Sequence, residues 1–200
     1  MSRNNVVAPK IVFGGCAGVG KSTIVAKIMN NSVFSGESTV GAAYCRKTFV
    51  RNGKTIVFDI WDTAGQDRYN SLSQLYFRAA AYCILVFDLT DYESFNKIKS
   101  KWRLLAELAN SPGYDEDRVK PEYILIGNKS DLGYKSVPQN EIDFYVESGD
   151  FLFYLETSAQ TGDGIDDLCS RLLDYGSKYE AKEPKITLQL DAAPITECRC

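Results

Sequence analysis

Gly15-Cys16-Ala17-Gly18-Val19-Gly20-Lys21-Ser22 is the stretch from which the fold of this chain can be read. It places a glycine, four free positions and then Gly20-Lys21-Ser22 between an apolar run at 10–13 and an amphipathic run that starts at Lys21. Strand, glycine-rich turn and helix in that order aim successive backbone N–H groups into one hollow at a helix N-terminus, where partial positive charge collects. Lys21 adds a full positive charge, and the Ser22 hydroxyl offers a hard oxygen to magnesium. Ala17, Gly18, Val19, Gly20, Lys21, Ser22 and Thr23 are therefore expected to cradle a polyphosphate.

Three further segments follow in order. Asp62-Thr63-Ala64-Gly65-Gln66 ends an apolar strand pattern, so the Asp62 carboxylate can hold magnesium or its water while Gly65 lets the backbone approach a terminal phosphate. Gln66 is placed to orient an attacking water. Asn128-Lys129-Ser130-Asp131 follows another apolar strand. A carboxylate at Asp131 can accept from both the ring N–H and the exocyclic amine of guanine, a donor pair that adenine does not present on one edge. The Lys129 stem can cover the base while Asn128 ties loops together. Thr157-Ser158-Ala159 comes after the last strand and offers the Ala159 amide to the guanine carbonyl oxygen, with Ser158 beside it. The pocket so described fits guanosine triphosphate. Thr39, in the loop before the second strand, is either a magnesium and phosphate ligand or an ordinary turn residue.

The surrounding pattern alternates strand and helix, the signature of an α/β fold around a mostly parallel sheet. Strands are expected at 10–13, 44–50, 55–61, 82–88, 123–127 and 151–155, and helices at 21–31, 71–80, 92–110, 138–148 and 164–179. Asn52-Gly53 between the second and third strands marks a tight hairpin, so the second strand should run antiparallel. In the third helix Phe95, Ile98, Trp102, Leu105 and Leu108 form the expected buried face, and Ile165, Leu168, Cys169, Leu172 and Leu173 form that of the last. The polar stretch 111–122 is long for a connection, and from about 181 the periodicity stops.

Composition narrows the field. Two hundred residues suffice for one core of about 170 residues and a short tail. A net charge of −3 leaves no basic stripe with which to grip nucleic acid. With no histidine and six scattered cysteines a zinc cluster is not expected, and reduced thiols suit a cytosolic chain. No apolar run approaches the roughly 20 residues that span a bilayer.

Taken together, the four segments resemble the Ras superfamily of small GTPases and, more narrowly, the Rab family. Trp61-Asp62-Thr63-Ala64-Gly65-Gln66-Asp67-Arg68-Tyr69-Asn70-Ser71-Leu72 resembles the Rab second switch, with Asp67 where Glu is usual. Glu37-Ser38-Thr39-Val40-Gly41-Ala42-Ala43-Tyr44 is similar to the first switch of the early-endosome branch. The resemblance implies a three-layer P-loop GTPase domain over 9–180, a six-stranded sheet with strand 2 antiparallel, and five flanking helices. It implies magnesium held by Ser22, Thr39 and Asp62, catalysis through Gln66 and Lys21, and an effector surface at Tyr44, Trp61 and Tyr76. These aromatics could instead only pack the sheet edge.

It further implies a monomeric domain with a flexible tail, 181–200, ending Cys198-Arg199-Cys200, similar to the Cys-x-Cys terminus that carries two geranylgeranyl groups. That tail has as many acids as bases, so both lipids would be needed for stable anchoring. The partners implied are an exchange factor, a GTPase-activating protein, a GDP dissociation inhibitor or escort protein, and effectors. The membrane implied is the cytoplasmic face of the early endosome. Rival readings are a GTP-locked scaffold without turnover, an ATP-using phosphotransferase sharing the same loop, and a Rab acting at a different membrane. Retention of Asp62 and Gln66 speaks against the first, and Asp131 against the second.

Ala17 occupies a loop position that is Gly in Ras itself, and its methyl would crowd Gln66. Slow intrinsic hydrolysis is the expectation, with an arginine finger from a partner supplying about 10³ to 10⁵ in rate. Ala17→Gly should hydrolyse bound GTP faster in single turnover, and an unchanged rate would remove the steric argument.

Overall fold

The strand β4, Tyr82–Asp88, is buried along its whole length, as expected of a strand covered on both faces. In the computed structural model, which describes residues 8–30, 39–51, 54–65, 70–111, 120–149 and 151–177, β4 lies inside a six-stranded sheet. Its companions are β1 (Lys10–Gly14), β2 (Ala42–Arg51), β3 (Lys54–Thr63), β5 (Glu122–Asn128) and β6 (Phe151–Thr157). The order across the sheet is β2-β3-β1-β4-β5-β6. All neighbours are parallel except β2 and β3, which pair antiparallel out to Arg51 and Lys54. Asn52 and Gly53 themselves lie outside the described residues, as do most of 111–122 and the tail.

Five helices cover the sheet: α1 (Lys21–Ile28), α2 (Asn70–Phe77), α3 (92–109), α4 (Gln139–Ser148) and α5 (Ile165–Gly176). Alternation along the strands sorts the core into two layers. Ile11 and Phe13 of β1, with Ile84 and Val86 of β4, meet Ile24 and Ile28 of α1 and Leu168 and Leu172 of α5. Val12, Leu85 and Phe87 point the other way, toward Phe77 of α2, Phe95 and Trp102 of α3, and Ile142 of α4. The result is the three-layer α/β arrangement expected of alternating strands and helices.

Two helices stop earlier than the apolar pattern suggested, for a local reason. Asn30 and Ala79 adopt left-handed backbone, φ 58 and 56, which ends a right-handed helix. Consequently α1 closes at Ile28 instead of 31, and α2 at Phe77 instead of 80.

α3 departs further from expectation. It consists of α-helical Tyr92–Lys97, a π-helical turn Ile98–Trp102 and α-helical Arg103–Ala109. Phe95, Ile98 and Trp102 are fully buried, but Leu105 is only partly so and Leu108 is 52% exposed. Ala106 and Ala109 take the buried positions instead. The five-residue π-helical turn advances the chain by less per residue than an α-helix, so the row begun by Phe95, Ile98 and Trp102 does not continue at three- and four-residue spacing through Leu105 and Leu108. Three- and four-residue spacing predicted the wrong rows beyond Trp102, because the π-helical turn shifts the face that follows it.

The buried half of that stripe should carry the stability. Ile98→Ala is expected to cost about 2–5 kcal/mol in urea denaturation, and Leu108→Ala no more than about 0.5.

Candidate functional site

The loops that leave the C-terminal ends of β1, β3, β5 and β6 meet on one edge of the sheet, the edge where ligands bind in open α/β folds. Leaving β1, the chain passes through Gly20 at φ 99 and enters α1 at Lys21. A Cβ on Gly20 would stand 2.2 Å from Asn128 Nδ2, so only glycine lets the loop close on β5. The buried Lys21 ammonium donates to the carbonyls of Gly15 and Cys16, both at 2.8 Å. Burial lowers its pKa to about 8, with the Asp62 and Cys16 charges pulling the other way. Thr63 Oγ1 donates to Phe13 O at 2.6 Å, which clamps the end of β3 to the end of β1.

That clamp sets Asp62 beside the loop. Ser22 Oγ donates to Asp62 Oδ2 at 2.5 Å, and Thr39 Oγ1 lies 3.0 Å from Ser22 Oγ and 3.3 Å from the same Oδ2. Asp62 Oδ1 is buried with no hydrogen-bond partner. Burial raises the Asp62 carboxyl above the usual carboxylate range, against hydrogen bonds from Ser22 and Thr39 and the charge of Lys21. Three convergent hard oxygens with one orphaned carboxylate atom fit magnesium, which binds through one or two carboxylates plus ligand phosphates. Among the described residues no group of three His, Cys, Asp or Glu could hold a metal, so the negative charge for a cation here would come mostly from the ligand. Thr39, left open between ligand and turn residue, thus stands in the oxygen cluster. Gly65 presses on the loop, since a Cβ there would be 2.3 Å from Ala17 N. Gln66 lies outside the described residues, while Thr23 follows Ser22 in α1, partly exposed.

The second half of the site is organised by Asn128. Its Nδ2 donates to Val19 O at 2.8 Å, while Oδ1 accepts from Thr157 Oγ1 at 3.0 Å and from Ala159 N at 3.1 Å. One buried amide therefore joins the phosphate loop, β5 and the loop after β6, as expected of it. Asp131 Oδ1 accepts from Ser158 Oγ at 2.6 Å, and Ser158 Oγ in turn accepts from Thr161 N at 3.0 Å. The Asp131 carboxylate is thereby oriented with one oxygen used. Lys129 sits in left-handed backbone and its Nζ pairs with Asp88 Oδ2 at 2.6 Å. Asp88 was missed by sequence reasoning, which read it only as the end of a strand.

Away from the pocket, Tyr44 and Trp61 face each other across β2 and β3 with ring centroids 5.3 Å apart, and Tyr76 of α2 lies 5.9 Å from Trp61. The three rings form one contiguous aromatic row, tilted against one another by 53° and 30°. Tyr44 is 52% exposed and donates to Asp59 Oδ1 at 2.7 Å. Asp59 also takes both forks of Arg46 at 2.7 and 2.9 Å. Lys10 Nζ stands 5.0 Å over the Trp61 ring. The row thus packs the sheet edge and still offers an open aromatic face; Val40 and Leu75, both exposed, lie in the neighbouring segments and were not anticipated. Cys198 and Cys200 lie outside the described residues, and among those described no helix is long and apolar enough to cross a membrane.

Sheet order, glycine-rich turn and oxygen cluster define a P-loop domain of the GTPase type. Residues 10–175 match the Ras family, and the chain belongs to that family. Its relatives include Ras-related protein RABF2a of Arabidopsis thaliana, 38% identical over 84% of this chain and 80% of the relative. Ras-related protein Rab5A of Oryza sativa subsp. japonica is 37% identical over 82% and 78%, and putative ras-related protein Rab-5B of Dictyostelium discoideum is 36% identical over 82% and 75%. The chain is thus a Rab-type member, similar to proteins named for the Rab5 and RABF group. Members of the Ras family bind GTP or GDP with magnesium.

The glycine geometry separates two substitutions. Gly20→Ala should abolish retention of GDP on gel filtration, because its methyl collides with Asn128. Gly18→Ala meets no protein atom within 4 Å and has φ 79, so it should fold with stability lowered by about 1–2 kcal/mol and keep more nucleotide than Gly20→Ala.

Proposed function

We propose that the chain is a GTP-binding and GTP-hydrolysing switch of endosomal membrane traffic that recruits effectors in its GTP state. The observation that carries this reading is the meeting, on one sheet edge, of the Ser22, Thr39 and Asp62 oxygens with a base loop tied to the phosphate loop through Asn128. Residues 9–180 act as a monomeric G domain, and 181–200 as a tail.

In the mechanism, amides of the loop from Ala17 to Ser22, with Thr23 behind them, bind the phosphates. The Lys21 ammonium neutralises charge that develops on the departing phosphoryl group. Ser22, Thr39 and Asp62 would hold magnesium, which when bound screens the outer phosphates. Gln66 orients the attacking water by hydrogen bonding. Asp131, steadied by Ser158, accepts from the guanine edge, and the Ala159 amide donates to its carbonyl oxygen. Lys129 covers the base plane.

Loss of the terminal phosphate removes the ligand that Thr39 and the Gly65 amide would share, and this releases the two switch loops. The Tyr44, Trp61 and Tyr76 row borders both loops, so effectors docking there would read the nucleotide state. Geranylgeranyl groups on Cys198 and Cys200 would hold the switch on the early-endosome surface, with extraction by a GDP dissociation inhibitor. Similarity to Rab5-named proteins supports the choice of membrane. Exchange and activating proteins would set the timing.

The tests are binding and single-turnover hydrolysis in one preparation. GTP and GDP should bind far more tightly than ATP, with slow phosphate release that Gln66→Leu reduces about 10-fold or more. Asp131→Asn should shift preference from guanine toward xanthine nucleotides. Tight GTP binding with no turnover, even with activating proteins added, would favour a GTP-locked scaffold; retained guanine preference in Asp131→Asn would overturn the base assignment.

A further inference from the structure

Asp88 ends β4 in parallel register with Asn128, the last residue of β5. It is buried, and both its oxygens are occupied. Oδ2 pairs with Lys129 Nζ at 2.6 Å, while Oδ1 accepts from Thr90 N at 2.8 Å and Thr90 Oγ1 at 2.7 Å. Leu89 N donates to Asn128 O at 3.0 Å, so the backbone after Asp88 is pinned to the segment from which Lys129 departs. Lys129 leaves that segment in left-handed backbone, φ 68 and ψ 39, a conformation that a non-glycine residue adopts at a cost. The surrounding contacts keep it there. Burial by itself would raise the Asp88 carboxyl, yet the Lys129 and Thr90 hydrogen bonds hold it below the usual range, so it stays charged.

We propose that Asp88 is a positioning residue for the nucleotide base: it anchors the Lys129 ammonium so that the aliphatic stem is stretched and held in place before ligand arrives. This rests on the reading of the pocket as a guanine-nucleotide site. A free lysine side chain samples many rotamers and loses them when a ligand packs on it. With its far end fixed on a carboxylate that is itself fixed by Thr90, Lys129 has lost that freedom already. None of the hydrogen bonds of Asp88 reaches the phosphate loop or the Ser22, Thr39 and Asp62 cluster. The device should therefore act on retention of the nucleotide and leave the chemical step alone.

The experiment follows release of fluorescent GDP and GTP from the full chain, together with single-turnover hydrolysis of bound GTP. Asp88→Asn keeps an acceptor for Thr90 and removes the charge that holds Lys129. Release of both nucleotides should quicken by about 2- to 10-fold, the range expected when one long side chain must be ordered on binding. Hydrolysis of GTP already bound should be unchanged. In a Lys129→Met background the same substitution should have no further effect on release. Unchanged release in Asp88→Asn, or a faster release that persists in the Lys129→Met background, would overturn the proposal. So would equal losses in release and hydrolysis, the mark of a merely structural role. If Asp88→Asn does not fold, Asp88→Ala, which also removes the charge that holds Lys129, is read in the same way with the same Lys129→Met control. Failure of the wild-type chain to bind GDP or GTP at all would strike the function reading first and is seen in the same assay.

Discussion

The side-chain amide of Asn128 holds the candidate site together. It is buried at the end of β5, and its three hydrogen bonds go to three different segments: Val19 of the phosphate loop, Thr157 at the end of β6, and Ala159 beyond it. Leaving one such buried group unpaired costs about 1–3 kcal/mol, so the loops are held in register as one unit. The parallel sheet makes this possible, since Asp88, Asn128 and Thr157 occupy one row across the ends of β4, β5 and β6. The phosphate loop and the loops proposed to read the base are thus mechanically joined.

Buried charge is the other constraint. Lys21 and Asp62 are both nearly enclosed, and each is shifted by burial in the direction that disfavours its charged form. Such groups persist where a function needs them, because isolated buried charge is unfavourable. Here each has partial relief: the ammonium on two loop carbonyls, the carboxylate on two hydroxyls. The orphaned Asp62 Oδ1 marks what the protein alone does not satisfy. A polyphosphate with its cation would supply complementary charge to both.

Much of this was legible in the residues. The strand and helix order, the antiparallel second strand and the meeting of four loops followed from periodicity, from Asn52-Gly53 and from the Gly15 to Ser22 stretch, because these are local signals with one good structural solution. The helix end at Ala79 was not legible, since Ala gives no mark of left-handed backbone, whereas Asn30 is a residue type that often ends helices this way and its signal was passed over. Leu108 was misplaced because regular three- and four-residue spacing was carried through a π-helical turn. Asp88 escaped notice for another reason: its partner Lys129 is distant in sequence, and only the β4 and β5 register brings the two together. The Ser158 bond to Asp131 is a long-range contact of the same kind.

Asn128→Ala with measurement of GDP and GTP release is the most direct trial of the joined site. Circular dichroism should still show a folded α/β chain, while both nucleotides leave at least about 100-fold faster, in line with several buried hydrogen bonds broken together. A folded Asn128→Ala chain that keeps GDP and GTP as long as the wild type would contradict the claim that this amide couples the phosphate loop to the base loops.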